Sequence, residues 1–444
     1  MAQAALALFG RYPSRQLREL EASQWLSPDE LGGMRNRKLG RLLVHACEHV
    51  PYYRKLFSEC GIDPRRLRLP DDFLRIPFLS RDDVRRSFND LIAGDSRPRD
   101  RMLNRTGGST GARTFFMNDR RALPLHRALV LRNQRWTGWD IGRRQALLWA
   151  AYSDVTQSLQ WHRRLFGRYV LRRLFLPARE MSDEKMRRHA QAIDRFKPEL
   201  ITGYASALTL FARFLQRSGL RVHPPLAVVS AAEALEEGAR AVVESVFRAP
   251  LFNHYGSREI SNIAHECEAH SGLHINAEHV HVEVVDGRGR PCAPREKGEI
   301  VVTDLDNQVF PFIRYRIGDL GVAAGGNCSC GRGLPLLAGV LGRSFDVITT
   351  PDGRYLCVSG TLFWLGDVNG VRSFQLIQHD LRTLEFKIVA DDSFTPGERA
   401  KLEQRVRERY GEPVDIRITL VDDIPVPESG KRMRVISKIS PFRS

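Results

Sequence analysis

Cysteine is scarce in this chain. Seven in 444 residues cannot form a disulfide framework for a protein of this size, and the cytosol would keep them reduced. No uninterrupted apolar run approaches the length of a membrane span, and the stretch 4–9 is too short and wrongly flanked for a secretory signal. A soluble, cytoplasmic protein without a transmembrane segment is therefore expected. Repeats and low-complexity tracts are missing, which sets aside repeat architectures. No basic stripe is interleaved with aromatics in a known recognition pattern, so nucleic acid is not an expected partner. The order GxxxxGK[ST] is also absent, and the strand-to-helix phosphate loop that it marks is not implied.

What is present suits a large globular enzyme. The length exceeds one typical domain and 42% hydrophobic residues supply a sizeable core, so two unequal domains are expected. Formal net charge is +16, with 68 basic against 52 acidic residues. Arginines recur in pairs such as Arg163-Arg164, Arg172-Arg173 and Arg187-Arg188. Two readings of this charge stay open: solvated helix faces, or a field that draws polyanions such as ATP, coenzyme A, an acidic carrier protein or a membrane surface.

Periodicity predicts a helical segment over 14–49, stopped by Pro51, and a helix opening at Ser80-Arg81-Asp82-Asp83 with acids in its first turn. Helices at 122–136, 183–196, 207–218 and 235–247 alternate with apolar, strand-like runs at 145–150, 200–202 and 226–230. That alternation predicts a parallel, buried sheet. From 279 to 303 the pattern changes to two alternating strands, 280–285 and 298–303, which read as an antiparallel, strand-rich subdomain. Beyond Gly342-Arg343-Ser344, strands at 373–378, 384–389 and 414–421 with a helix at 396–409 predict a small α+β unit. The fold class is thus α/β, with domains at 1–344 and 345–444.

The densest chemical signal is Thr106-Gly107-Gly108-Ser109-Thr110-Gly111-Ala112-Arg113. Glycines bring backbone N–H groups close to an anion, and the hydroxyls and Arg113 add donors, so the segment reads as a phosphate loop. Further on come His254-Tyr255-Gly256-Ser257-Arg258-Glu259, Arg314-Tyr315-Arg316-Ile317-Gly318-Asp319, Gly342-Arg343-Ser344 and Glu428-Ser429-Gly430-Lys431-Arg432. Together with Val50-Pro51-Tyr52-Tyr53-Arg54, Gly203-Tyr204-Ala205-Ser206 and Ser230-Ala231-Ala232-Glu233, this ordered set resembles the adenylate-forming superfamily of acyl- and aryl-CoA ligases. Within it the pattern is most similar to the phenylacetate-CoA ligase-like branch, which includes homologues from capsular polysaccharide clusters.

The resemblance implies an ATP-dependent, Mg²⁺-requiring ligase that converts a small carboxylic acid to its acyl-AMP and passes the acyl group to a thiol, with coenzyme A the first choice. Activating a carboxylate at the α-phosphorus needs donors and a divalent cation more than a protein nucleophile. By resemblance, Thr106, Gly107, Gly108, Ser109, Thr110, Gly111 and Arg113 hold the triphosphate, although Ala112-Arg113 departs from the proline or lysine often found there. Glu259 would hold Mg²⁺, Tyr255 would stack on adenine with Gly256 and Ser257 beside it, and Ser230, Ala231, Ala232 and Glu233 would line the adenine pocket. Asp319 would accept the ribose hydroxyls with Arg343 as its neighbour. Lys431 would reach the α-phosphate from a mobile loop. Trp149, Tyr152, Tyr204 and Ala205 would wall the acyl pocket. The family's acidic interdomain pivot is replaced here by Phe345. Acyl or adenylyl transfer to another acceptor (a cofactor, a carrier protein or a glycan precursor) and a degenerate nucleotide-binding module are the alternatives.

A second constellation is Cys328-Ser329-Cys330-Gly331, answered upstream by Cys267 and His270. Two thiolates on a glycine-bounded turn plus a Cys/His pair match a closed, structural zinc site. The other reading is free thiols with surface histidines. His265 and His274 remain possible replacements for His270, since spacing does not choose among nearby imidazoles.

Overall fold

The computed structural model describes residues 13–106, 114–149, 171–178, 181, 183–235, 238–343, 347–351, 355–357, 368–411, 413–425 and 435–439. The predicted helical segment at 14–49 is two helices, Ser14–Ser23 and Pro28–His49. Ser27 restarts the helix through a capping box with Glu30, and Pro28 occupies the first turn, where a missing N–H costs nothing. For the same reason Pro51, expected only as a stop, also opens the next helix, Pro51–Glu59.

Among the described residues one sheet of eleven strands dominates. Its order is Val280–Val285, Lys297–Asp304, Tyr315–Ala323, Leu336–Arg343, Leu273–Ile275, Ser261–Glu266, Leu251–Ser257, Ala227–Ala231, Leu200–Tyr204, Gln145–Trp149 and Arg173–Pro177. The strand Leu251–Ser257 is the seam: it pairs parallel with Ala227–Ala231 and antiparallel with Ser261–Glu266. The strand-rich segment predicted around 279–303 is antiparallel as expected, but it continues the parallel sheet across this seam rather than forming a sheet of its own.

Alternation of side chains along each strand explains how the parallel half is buried on both faces. Ala146, Leu148, Ile201, Val228 and Leu251 face the helices Asp183–Phe196, Ala205–Ser218 and Ala239–Phe247. Leu200, Ala227, Val229 and Phe252 face Leu17 and Leu20 of Ser14–Ser23, and Ala128 and Leu129 of Leu123–Trp136. The antiparallel half packs Ile300, Val302, Phe310 and Phe312 against Leu39, Leu42 and Leu43 of Pro28–His49 and Tyr53 and Phe57 of Pro51–Glu59. Tyr53 closes that layer by donating to the Pro311 carbonyl at 3.0 Å and accepting from the Ile313 N–H at 3.1 Å.

Toward the C-terminus, Asp415–Leu420, Thr383–Ala390, Val371–Gln378 and Val435–Ser437 form a separate four-stranded sheet in that order. The helix Pro396–Tyr410 covers it, and Leu376, Leu384, Phe386, Ile388, Leu402, Val406 and Val435 make a core of their own.

Candidate active site

In a parallel sheet, ligands bind where the carboxyl ends of the strands open. That edge carries several of the candidate residues: Trp149 ends one strand, Tyr204 the next, Ala231 the third and Ser257 the fourth. Trp149 and Tyr204 stack with ring centroids 4.5 Å apart and planes 18° from parallel. Ala205 begins the following helix, and Glu233 accepts the Ser206 N–H of its first turn at 2.9 Å. Ser230 is fully buried and its hydroxyl has no partner among the described residues. A polar atom left so is costly unless something else bonds it. Just beyond, Ala232 adopts a left-handed conformation with φ of 66° and turns the chain across the sheet edge.

The seam strand leads into a tight turn that presents Glu259. Gly256 is required there, because a Cβ at this position would run into the Ser261 carbonyl oxygen. The turn is tied from several directions. Ser257 Oγ accepts the Ile260 N–H at 3.1 Å, and Asn118 Nδ2 donates to the Glu259 carbonyl at 3.1 Å. The Glu259 carboxylate is 5% exposed and lies 3.4 Å from the Tyr315 hydroxyl. Next to it, Tyr255 donates its hydroxyl to Asp319 Oδ2 at 2.8 Å, and Asp319 pairs across the sheet with the backbone of Arg343. Tyr255, expected to stack on adenine, is largely buried and has this second task of orienting Asp319.

Arg81 completes the cluster, and no sequence signal singled it out. It sits at the start of the short helix Arg81–Arg86, which Ser80 and Asp83 fix with a capping box. Its Nη2 donates to the Ile317 carbonyl at 2.6 Å, while its buried Nε has no partner among the described residues. Burial opposes the charge, but a hydrogen bond to the Tyr315 hydroxyl oxygen and the carboxylates of Glu259 and Asp319 outweigh it and hold the guanidinium above its ordinary range. For Tyr315, burial and then the Glu259 carboxylate push the phenol upward, so it stays protonated and donates.

The glycine-rich segment, expected to hold phosphate, lies in sequence between the two strands of the hairpin Arg101–Arg105 and Phe115–Asp119. Thr106 N donates to Thr114 O at 2.9 Å and Thr114 N to Thr106 Oγ1 at 3.1 Å, pinching the loop's base. Asn118 lies on this hairpin, so the same element carries the loop and holds the Glu259 turn. Gly107, Gly108, Ser109, Thr110, Gly111, Arg113, Tyr152, Phe345 and Lys431 lie outside the described residues, as does the Arg343 side chain.

Thirdly, Cys267, His274, Cys328 and Cys330 place one ligand atom each within 4.8 Å of one another. Here the expected His270 is replaced by His274. The strand Leu273–Ile275 turns His274 inward to full burial, with Nε2 3.3 Å from Cys330 Sγ and Nδ1 3.2 Å from the Leu334 carbonyl. His270 sits on the preceding turn with φ of 49° and faces Glu266 at 3.3 Å instead. The Nδ1–H bond to a carbonyl leaves the Nε2 lone pair aimed at the thiols, the arrangement by which ligating imidazoles are oriented. Three sulfurs and one imidazole are the donor set of a closed zinc site, so these residues fit that ion.

Comparisons with known proteins find relatives in sequence and in fold. The chain is 30% identical over 331 residues to phenylacetate-coenzyme A ligase of Thermus thermophilus, covering 73% of this chain and 72% of that protein. It is 20% identical over 431 residues to protein CapK of Staphylococcus aureus, covering 93% and 90%. Residues 348–438 match the CapK C-terminal domain. In fold the chain is similar to 2-hydroxyisobutyryl-CoA ligase crystallised in the postadenylation state with an acyl-AMP, at a TM-score of 0.74, 22% identity and 95% and 92% coverage.

Proposed function

The chain belongs to the phenylacetate-CoA ligase family of adenylate-forming enzymes, and from that premise we propose that it activates a small carboxylic acid with ATP and transfers the acyl group to the thiol of coenzyme A. The observation that carries this reading is the convergence of Arg81, Glu259, Tyr315, Tyr255 and Asp319 beside the end of the seam strand, next to the hairpin whose Asn118 holds the Glu259 turn and which leads into the glycine-rich segment.

In the first half-reaction a carboxylate oxygen attacks the α-phosphorus, the bond to the bridging oxygen of the β-phosphate breaks, and pyrophosphate leaves. Charge grows on non-bridging phosphate oxygens, where preorganised donors act most strongly. Arg81 is already buried and held cationic beside the cluster, and its Nε–H, without a partner among the described residues, would be available to such an anion. The loop 107–113 would supply backbone N–H groups, and Lys431 would add a second cation. Glu259 offers the hard oxygen that Mg²⁺ prefers, and the ion when bound would neutralise phosphate charge. Asp319, oriented by Tyr255, would accept the ribose hydroxyls. The orphan hydroxyl of Ser230 would bond the base, with Ala231, Ala232 and Glu233 around it.

In the second half-reaction the thiol attacks the acyl carbon, loses its proton to solvent, and expels AMP as the carbon–oxygen bond breaks. Trp149, Tyr152, Tyr204 and Ala205 would wall the acyl group, an aromatic slot without a charge to demand a particular acid. We place the domain boundary near 344/345, with the C-terminal unit exchanging its face between half-reactions. Zinc at Cys267, His274, Cys328 and Cys330 would staple the antiparallel strands to the loop after Asp319 and take no part in the chemistry. A second reading has a group other than coenzyme A as the acceptor. Incubating enzyme, ATP and a panel of acids with and without coenzyme A separates the two: thioester appears only with coenzyme A on the first reading, while pyrophosphate release without any thioester supports the second.

A further inference from the structure

Behind the Glu259 turn lies a buried charge cluster that the reaction itself does not use. His279 is fully buried, and its Nε2 is 2.9 Å from the Ile260 carbonyl oxygen. Its Nδ1 is 3.1 Å from Asp306 Oδ2 and 3.5 Å from Asp304 Oδ1. Carbonyl and carboxylate oxygens only accept, so both ring nitrogens must carry protons and the ring is an imidazolium. Burial works against that charge, but Asp304 and Asp306 outweigh it and raise the ring's affinity for its proton. Lys38, reaching in from Pro28–His49, balances the second carboxylate with Nζ 2.6 Å from Asp306 Oδ1. The neighbouring His126 ring is 4.8 Å away, and burial and then His279 push it down to about 3, so no second imidazolium competes.

The consequence falls on Glu259. Successive carbonyls of its turn are each held by a side chain from elsewhere, Glu259 O by Asn118 and Ile260 O by His279. Ser261, the next residue, is held at φ of 76°, so the turn is strained backbone pinned from outside. We propose that His279, clamped by Asp304 and Asp306, is a positioning residue that fixes the Glu259 carboxylate for its divalent cation. The inference rests on the reading of Glu259 as the metal-binding carboxylate.

The test uses full-length protein, Mn²⁺ as a spectroscopic stand-in for Mg²⁺, and α,β-methylene ATP, which cannot transfer its adenylyl group to an acid. Electron paramagnetic resonance reports Mn²⁺ affinity in the ternary complex, and calorimetry reports metal-free AMP binding. Losing a charged hydrogen bond to the turn should weaken Mn²⁺ binding about tenfold in His279→Gln, with AMP binding within about twofold of wild type. Combined with Glu259→Gln it should add little, because coupled residues do not contribute independently. If His279→Gln proves unstable, Asp306→Asn should still lower Mn²⁺ affinity several-fold by removing the clamp. Wild-type Mn²⁺ affinity in either folded variant, or full additivity with Glu259→Gln, overturns the positioning role. Should Glu259→Gln alone leave Mn²⁺ affinity intact, the metal assignment fails and the inference falls with it.

Discussion

Single side chains carry the sharpest consequences. Arg81→Met keeps the length of the stem but removes the guanidinium that Tyr315, Glu259 and Asp319 surround. Acid-dependent ATP–pyrophosphate exchange should drop about a hundredfold, the scale on which losing one preorganised donor to a developing charge is felt. Exchange at the wild-type rate would remove Arg81 from the site. Asp319→Ala should instead weaken ATP binding, seen by calorimetry, because its oriented carboxylate is lost. Residue roles were unevenly legible in the sequence. Glu259, Asp319 and Tyr255 stand in motifs, and the structure brings them together. Arg81 reaches them from far upstream in the chain, with only an ordinary capping box around it. His274 against His270 was undecidable from spacing, since the choice depends on which way a three-residue strand faces.

Elements transmit these roles through close backbone approaches. Gly256→Ala would force the seam strand and Ser261 apart, costing about 2 kcal/mol as overpacking typically does. Urea denaturation should register that loss, and an unchanged midpoint would mean the turn relaxes freely. On the zinc reading, the thiol cluster would stabilise the antiparallel half locally. A strong chelator or Cys328→Ser should raise hydrogen exchange across 260–340 before it touches the N-terminal helices, because thiolate ligation couples metal to folding. Protein isolated with ample zinc but containing none, with Cys328→Ser melting unchanged, would leave only free thiols. Strand and helix types were readable because alternation and 3.6-residue periodicity are local. The continuity of the parallel and antiparallel halves was not, since it depends on Leu251–Ser257 pairing differently along its two edges.

For the whole molecule, the proposed division of labour assigns adenylation to the strand edge plus a terminal lysine, and thioester formation to a rearranged C-terminal unit. Lys431→Ala should slow acyl-adenylate formation about a thousandfold while leaving thioester formation from supplied acyl-AMP largely intact, because its charge matters only where phosphate charge develops. The most direct test of the central claim is exchange of labelled pyrophosphate into ATP, measured across a panel of small carboxylic acids without coenzyme A. Exchange should appear only when an accepted acid is present, and the acyl-AMP should be recoverable from the protein. Exchange that proceeds equally without any acid, or ATP cleaved to ADP and phosphate, would contradict carboxylate activation by this site.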